Sequence, residues 1–368
     1  MTATMKIRVT GRRIRITAAV VTAVLFLAGA IVARADDRHR TSPIDHQEPA
    51  ASAAAPQGSR PAGARDRLGA APSPAASASR GARPSTSSAS PSAAPQPGNG
   101  QKWCAETPSA CGYPDETNTG WRHTGVRLKT VHQDPFTIAK PGTVIDGLDI
   151  RGCVQVRARN VTIKRSRIAC SNQPMVKNYE PDGNGGLIDV GAGLVVEDVE
   201  FDGLNDPDAH GMAFNKYTVR RAYFHNLGAA AKLGSDVHIE DSYVAAISST
   251  ESSHNSGFPS DGGVGITLRH NTVLMNSQNG HAVAIYNEIP VGSIVKDVVV
   301  DNNLLAGGNY VLYCGAPGKT APNLRVTNNR FSGIIYAKGG FYGPTANCDG
   351  AVLWQNNYWD ASREPLMP

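Results

Sequence analysis

The stretch Val298 to Leu305, VVVDNNLL, carries a pattern that recurs through most of the chain and constrains its fold more than any other feature. Apolar residues hold its first, third and eighth places, and an amide residue holds the sixth. The copies run Thr143 to Ile150, Val161 to Ile168, Leu194 to Phe201, Tyr217 to Phe224, Val237 to Val244, Ile266 to Val273, Val298 to Leu305, Leu324 to Phe331 and Val352 to Trp359. Their ragged period of roughly 25 residues falls in the range of solenoids, whose repeats bury their apolar faces only by stacking.

Within each copy the alternation is that of a strand. In Leu324, Val326, Asn329 and Phe331 the inward residues bracket a two-residue step, which reads as a short strand, a bend and a second short strand. A helix would need apolar neighbours three or four apart. The sixth place carries Asn271, Asn303, Asn329 and Asn357 in the last four copies. Stacking predicts one asparagine above another, each amide bonding its neighbours and the bent backbone, a structural role rather than a ligand role.

Composition divides the chain unevenly. In residues 1–35, Lys6, Arg8, Arg12, Arg13 and Arg15 precede an apolar run from Ile16 to Ala33, and Ala33-Arg34-Ala35 has the small-x-small form of a signal peptidase site. The expectation is export, with an uncleaved membrane anchor as the alternative. Those residues hold six of the 36 basic side chains and no acid, so the remainder is near neutral against 31 acids. Such a balance argues against a nucleic-acid partner. Residues 36–100, rich in Ala, Pro, Ser and Gly, cannot bury enough apolar surface to fold and read as a disordered linker.

Six cysteines in an exported chain read as disulfides. Neighbouring positions favour Cys104 with Cys111, Cys153 with Cys170 and Cys314 with Cys348, among fifteen possible connectivities. Residues 101–130 are expected to cap the first coil, covering its unpaired edge. Trp354, Tyr358 and Trp359 are expected to close the far end.

A second apolar pattern precedes many copies: Ile188 and Val190, Met212 and Phe214, Ala229 and Ala231, Val283 and Ile285, Val311 and Tyr313, Ile335 and Ala337. Its outward companions are Asp189, Asn215, Lys232, Tyr286, Tyr336 and Lys338. Parallel stacking would space them by about 4.8 Å per coil and so place polar groups in a row. The long segments 171–186, 205–215 and 248–263 carry Asp208, His210, His254 and Asp261, and would wall a groove beside Asp189, Asn215 and Lys232.

Several motifs resemble a known family. These are Cys111-Gly112-Tyr113-Pro114-Asp115 through Asn118-Thr119-Gly120, Gly142-Thr143-Val144-Ile145-Asp146-Gly147, His254-Asn255-Ser256-Gly257, and Trp354-Gln355-Asn356-Asn357-Tyr358-Trp359-Asp360. They resemble the secreted right-handed parallel β-helix proteins common in actinobacteria, within the pectate-lyase-like superfamily. The resemblance spans roughly Cys104 to Asp360 and implies one all-β domain over residues 101–368, a single-stranded solenoid of about nine coils. It is specific for architecture and leaves the reaction open, because one fold hosts many activities.

By that analogy the expected activity is a lyase acting on a uronate-containing glycan. β-Elimination needs a base for the proton beside the carboxylate and a positive group to neutralise that carboxylate. Lys232 is the expected base, with His254 and His210 in polar loops as further catalytic candidates. Asn215, Lys216, Arg220, Tyr286 and Lys338 are the expected substrate contacts. Asp189, Asp208 and Asp261 are the expected ligands should calcium serve the carboxylate.

His281, in Asn279-Gly280-His281, weakly resembles the Gly-His-Gly of polygalacturonase-type hydrolases, whose Asp-Asp pair and Arg-Ile-Lys motif are missing here. Hydrolysis by Asp208 and Asp261 therefore ranks below elimination. Ser256 lacks an identifiable oxyanion donor and is set aside as a nucleophile. The alternative from another class is a non-catalytic protein that binds cell-wall or extracellular polysaccharide, with Tyr179, Tyr286, Tyr336 and Tyr342 stacking on sugars, or that forms a cell-surface rod. A monomer is expected, touching a membrane only if the N-terminal segment stays uncut.

Overall fold

In a computed structural model the described residues are 102–368, apart from 172–173, 261, 287–293 and 317. The expected targeting segment, residues 1–35, and the expected linker, residues 36–100, lie outside them. The fold is all-β, built from long parallel sheets in the manner of a β-helix or solenoid. Its nine-stranded sheet takes one strand from each copy, in chain order. The third places Ile145, Ile163, Val196, Val219, Ile239, Leu268, Val300, Val326 and Trp354 are register partners from one end to the other. The eighth places, from Ile150 through Phe201, Phe224 and Phe331 to Trp359, stack likewise in the thirteen-stranded sheet. Phe201 and Phe224 stack with ring centroids 4.6 Å apart. A one-residue slip would turn both rows outward, so burial enforces the register.

Two left-handed corners bracket the strand that each copy gives to the nine-stranded sheet. The fifth place of every copy has positive φ: Gly147, Arg165, Asp198, Arg221, Asp241, His270, Asn302, Asn328 and Asn356. The residue before the first place does too in eight copies, among them Asn160, Lys216 and Asn323. Asn, Asp and Gly tolerate this backbone best and dominate the late coils. Just past the second corner lies the asparagine ladder. Asn271 donates its backbone N–H (2.9 Å) and its Nδ2 (3.1 Å) to Asn303 Oδ1. Asn303 repeats both bonds to Asn329, and Asn329 repeats them to Asn357. Each Nδ2 also donates to a carbonyl of the preceding coil, Asn303 to Leu268 O at 3.0 Å. Ser242 and Ser166 continue the column with hydroxyls that accept backbone N–H groups. All four amides are buried, so the bend's polar groups are satisfied without water.

The disulfides are Cys104–Cys111, Cys153–Cys170 and Cys314–Cys348. The last two join neighbouring coils just past paired strands. Three disulfides suit an oxidising compartment. Among the described residues no helix is long and apolar enough to cross a membrane.

Three expectations need correction. Residues 102–128 do not cap the first coil but run along the side of the stack as a strap, from its last coils to its first. Ala105 N–H meets Asp360 Oδ2 (3.1 Å), Arg330 lies over the Tyr113 ring, and Tyr113 OH donates to Asn302 Oδ1 (3.3 Å). Further along, His270 bonds Gly112 O, Gly120 N–H donates to Arg221 O, Trp121 Nε1 donates to Glu200 Oε2 (2.7 Å), and His123 pairs with Asp198. The strap covers the outer face of the thirteen-stranded sheet, where Leu304 is fully buried against Cys104, Ala105 and Tyr113.

The far end is closed by Trp359 as expected, but also by the C-terminal tail. Trp354 Nε1 donates to Leu366 O (2.7 Å) and Leu366 is buried. Finally, the second apolar pattern holds only in the middle of the chain. Met212, Ala229, Ala231, Val283, Ile285 and Val311 are buried. Ile188, however, is 52% exposed in the antiparallel pair Glu180–Pro181 and Leu187–Ile188. At the other end Gly343–Ala346, not Ile335 to Ala337, pairs with Tyr310–Tyr313.

Candidate functional site

The sheet that most concerns function has four strands: Phe258–Ser260, His281–Ile285, Tyr310–Tyr313 and Gly343–Ala346. Pro259, Ala284 and Tyr313 are register partners across three of them. Leu233 N–H donates to Pro259 O (2.8 Å), which attaches the preceding coil and its Lys232 to the same series. At about 4.8 Å per step, Lys232 stands about 14 Å from Tyr313 along the stack.

Successive coils bring aromatic rings into one connected run. Tyr286 lies 5.6 Å from Tyr313, Tyr313 stacks on His281 at 4.7 Å, and His281 lies 6.1 Å from Tyr310. Tyr310 meets Tyr342 (5.9 Å), Tyr342 meets Phe341 (5.0 Å), and Phe341 meets Tyr336 edge-on (5.9 Å). Phe341 and Tyr342 are 47% and 45% exposed, while Tyr286, Tyr310, Tyr313 and Tyr336 are half-buried. Large apolar rings left at the surface in one run mark a place where something else lies against them.

His281 anchors the middle of the run. Its backbone N–H donates to Ser256 Oγ (3.0 Å), whose oxygen lies 3.3 Å from Tyr286 OH. Burial pushes the imidazole down to about 4, with the nearby His254 opposing protonation further. His281 is therefore a neutral ring at ordinary pH, packed like its tyrosine neighbours.

Toward the other end, Phe214, Asn215, Lys232, Leu233 and Pro259 line a cavity of about 200 Å³. Asn215 Oδ1 accepts from Ser235 N–H (2.8 Å), and its Nδ2 donates to Asp189 Oδ1 (2.9 Å). Lys216 Nζ reaches the other oxygen of Asp189 at 2.9 Å. His210 lies close enough to Lys232 to feel its charge; burial first, and then that ammonium, push the imidazole down to about 3.

The predicted residues thus divide. Asp189, Asn215 and Lys216 meet, with Lys232 and His210 beside them. His254, exposed, lies near His281, and Tyr286 stands at one end of the aromatic run. Lys338 sits in the tight turn between Tyr336 and Phe341. Arg220 stands apart, on the nine-stranded sheet and paired with Glu240 (2.5 Å). Tyr179 is also separate from the run, packed on Phe214 with Lys177 over its ring.

Asp208 is exposed, and Asp261 lies outside the described residues. Among the described residues no three His, Cys, Asp or Glu side chains gather into a metal-binding group. Both oxygens of Asp189 are taken by an amide and an ammonium, a setting that does not fit a calcium ligand. The pattern of outward companions missed Tyr310, Tyr313 and Phe341. The spacing of 29 residues from His281 to Tyr310, repeated from Ala284 to Tyr313, was the signal that would have placed two of them.

Comparison with family models, curated proteins and solved structures finds no match to this chain.

Proposed function

We propose that the protein is an exported, right-handed parallel β-helix of about nine coils that binds an extracellular acidic polysaccharide along its four-stranded sheet. The hand follows from the strong general preference of parallel crossovers. The reading rests on one observation, the connected run of rings from Tyr286 to Tyr336 along the stacking direction. Pyranose rings present flat C–H faces that pack on aromatic faces, and a coil step of about 4.8 Å is close to the length of one sugar. Lys232 stands toward one end of the run and Lys338 at the other, so carboxylates of a uronate chain would be attracted along its length.

Electrophoresis of the protein through native gels containing polygalacturonate, alginate, hyaluronan or uncharged dextran tests the reading. Retardation by at least one uronate polymer, weakened by Tyr342→Ala and by salt, is expected. Equal mobility in every gel removes it.

A second reading, cleavage by β-elimination, is favoured by Lys232, which lines the cavity together with Asn215 and has neutral His210 near it. Unprotonated as the substrate binds, Lys232 would take the proton next to the uronate carboxylate, with Asn215 binding the substrate. New absorbance from unsaturated ends, lost in Lys232→Ala, supports this chemistry. Binding without such absorbance leaves the protein a pure binder.

A further inference from the structure

A larger cleft, of about 630 Å³, opens elsewhere, between the strap and the outer face of the thirteen-stranded sheet. Trp121 and Val126 of the strap form its apolar wall. Its floor is a charged lattice from successive coils. Arg167 holds Asp149 (3.0 Å) and Asp202 (2.5 Å) with its two terminal nitrogens and lies 3.5 Å from Glu200 through Nε. Glu200 also accepts from Trp121, Arg122 and His225, and Arg151 holds Asp149 at 2.8 Å.

We propose that this cleft is a second binding site, specific for an uncharged sugar unit and independent of the aromatic run. The volume falls in the range of small-ligand sites, about 300–1,000 Å³. The charge pattern selects the ligand class. Burial works against ionisation of Asp149, Glu200 and Asp202, but hydrogen bonds from Arg151, Arg167, His225 and Asn226 hold all three below the usual carboxylate range, so each is an acceptor only. A free anion meets those three carboxylates, and a cation meets the guanidinium groups of Arg122, Arg151 and Arg167. A sugar hydroxyl is both donor and acceptor, and vicinal hydroxyls match donors and acceptors alternating a few ångströms apart.

The floor is also set before any ligand arrives. The side chains of Glu200, Asp149, Asp202 and Arg167 are only 1–14% exposed and fix one another, so little ordering entropy is lost on binding. Arg151, 48% exposed, and Trp121 are the groups a ligand would reach from the mouth.

Saturation-transfer NMR on the purified full chain tests the site, using glucose, galactose, mannose, N-acetylglucosamine and their disaccharides, with glucuronate and inorganic phosphate as charged controls. At least one neutral sugar is expected to bind in the millimolar range. Arg151→Ala, which leaves the strap contacts intact, should weaken it roughly tenfold, the effect of a lost charge-assisted hydrogen bond. Val126→Trp should block the cleft, while Tyr342→Ala should change nothing. The proposal is overturned by no neutral sugar binding, by binding indifferent to both cleft variants or lost in Tyr342→Ala, or by glucuronate or phosphate outcompeting every neutral sugar.

Discussion

The backbone N–H of Ala105 donates to Asp360 Oδ2 across 3.1 Å and 255 residues of chain, tying the beginning of the strap to the last coil. Asp360 is buried beside the hydroxyl of Ser332, which lies one coil away on the same row. Burial pushes this carboxyl up, despite the hydrogen bonds of Ala105 and Ser332 and two nearby arginines. The folded state therefore favours the protonated acid, and stability falls as pH rises from the ordinary value of 3.8 through the raised one.

Replacing Asp360 with Asn keeps an acceptor for Ala105 and supplies a donor for Ser332. Asp360→Asn should therefore raise the thermal midpoint at about pH 7 by a few degrees, with the gain vanishing near pH 3. Calorimetry at the two pH values measures this directly, and a loss at neutral pH would count against it.

The ladder makes a second prediction. Asn303→Ala strips an acceptor from two donors of Asn271 and a donor from Leu268 O and Asn329 Oδ1, all in a buried bend. The expected cost is about 2–4 kcal/mol, read as a lower urea midpoint. Asn357→Ala, at the end of the column with no further rung to serve, should cost about 1 kcal/mol less.

His270 gives the strap a pH dependence. Its hydrogen bond to Asp241 (2.6 Å) raises the imidazole pKa against the opposing effect of burial, and the other ring nitrogen bonds Gly112 O (2.8 Å). The stabilisation is fully present below the ordinary value of 6.5 and is lost as pH rises through the raised one. Amide exchange around Gly112 should accelerate beyond its intrinsic pH trend as pH rises from 6.5 through the raised value. His270→Gln should abolish that excess.

Much of this architecture was legible in the sequence because it is periodic. The third and eighth places of the copies lie in register throughout, the four asparagines stack, and the cysteines pair as their spacing favoured, because each depends on one coil repeating the next. What escaped depends on contacts without period. The strap is a row of tertiary bonds, such as Tyr113 with Asn302, that no local pattern announces. Ile188 turns outward because the coil there is interrupted by an antiparallel pair, and the aromatic run is completed by Phe341 and Tyr342 from an irregular turn. Of the predicted site, Lys232, Asn215 and His210 came together because they belong to adjacent coils, whereas Arg220 did not because it lies on another sheet.

On the proposed reading, register places the tyrosines along the stack so that a glycan lies parallel to it. Titration of the protein with uronate oligosaccharides of increasing length, by calorimetry, tests this most directly. Affinity should climb with each added sugar and level off once the chain spans Tyr286 to Tyr336, with Tyr310→Ala flattening the climb. A monosaccharide that binds as tightly as the longest chain, or no binding at any length, would contradict it.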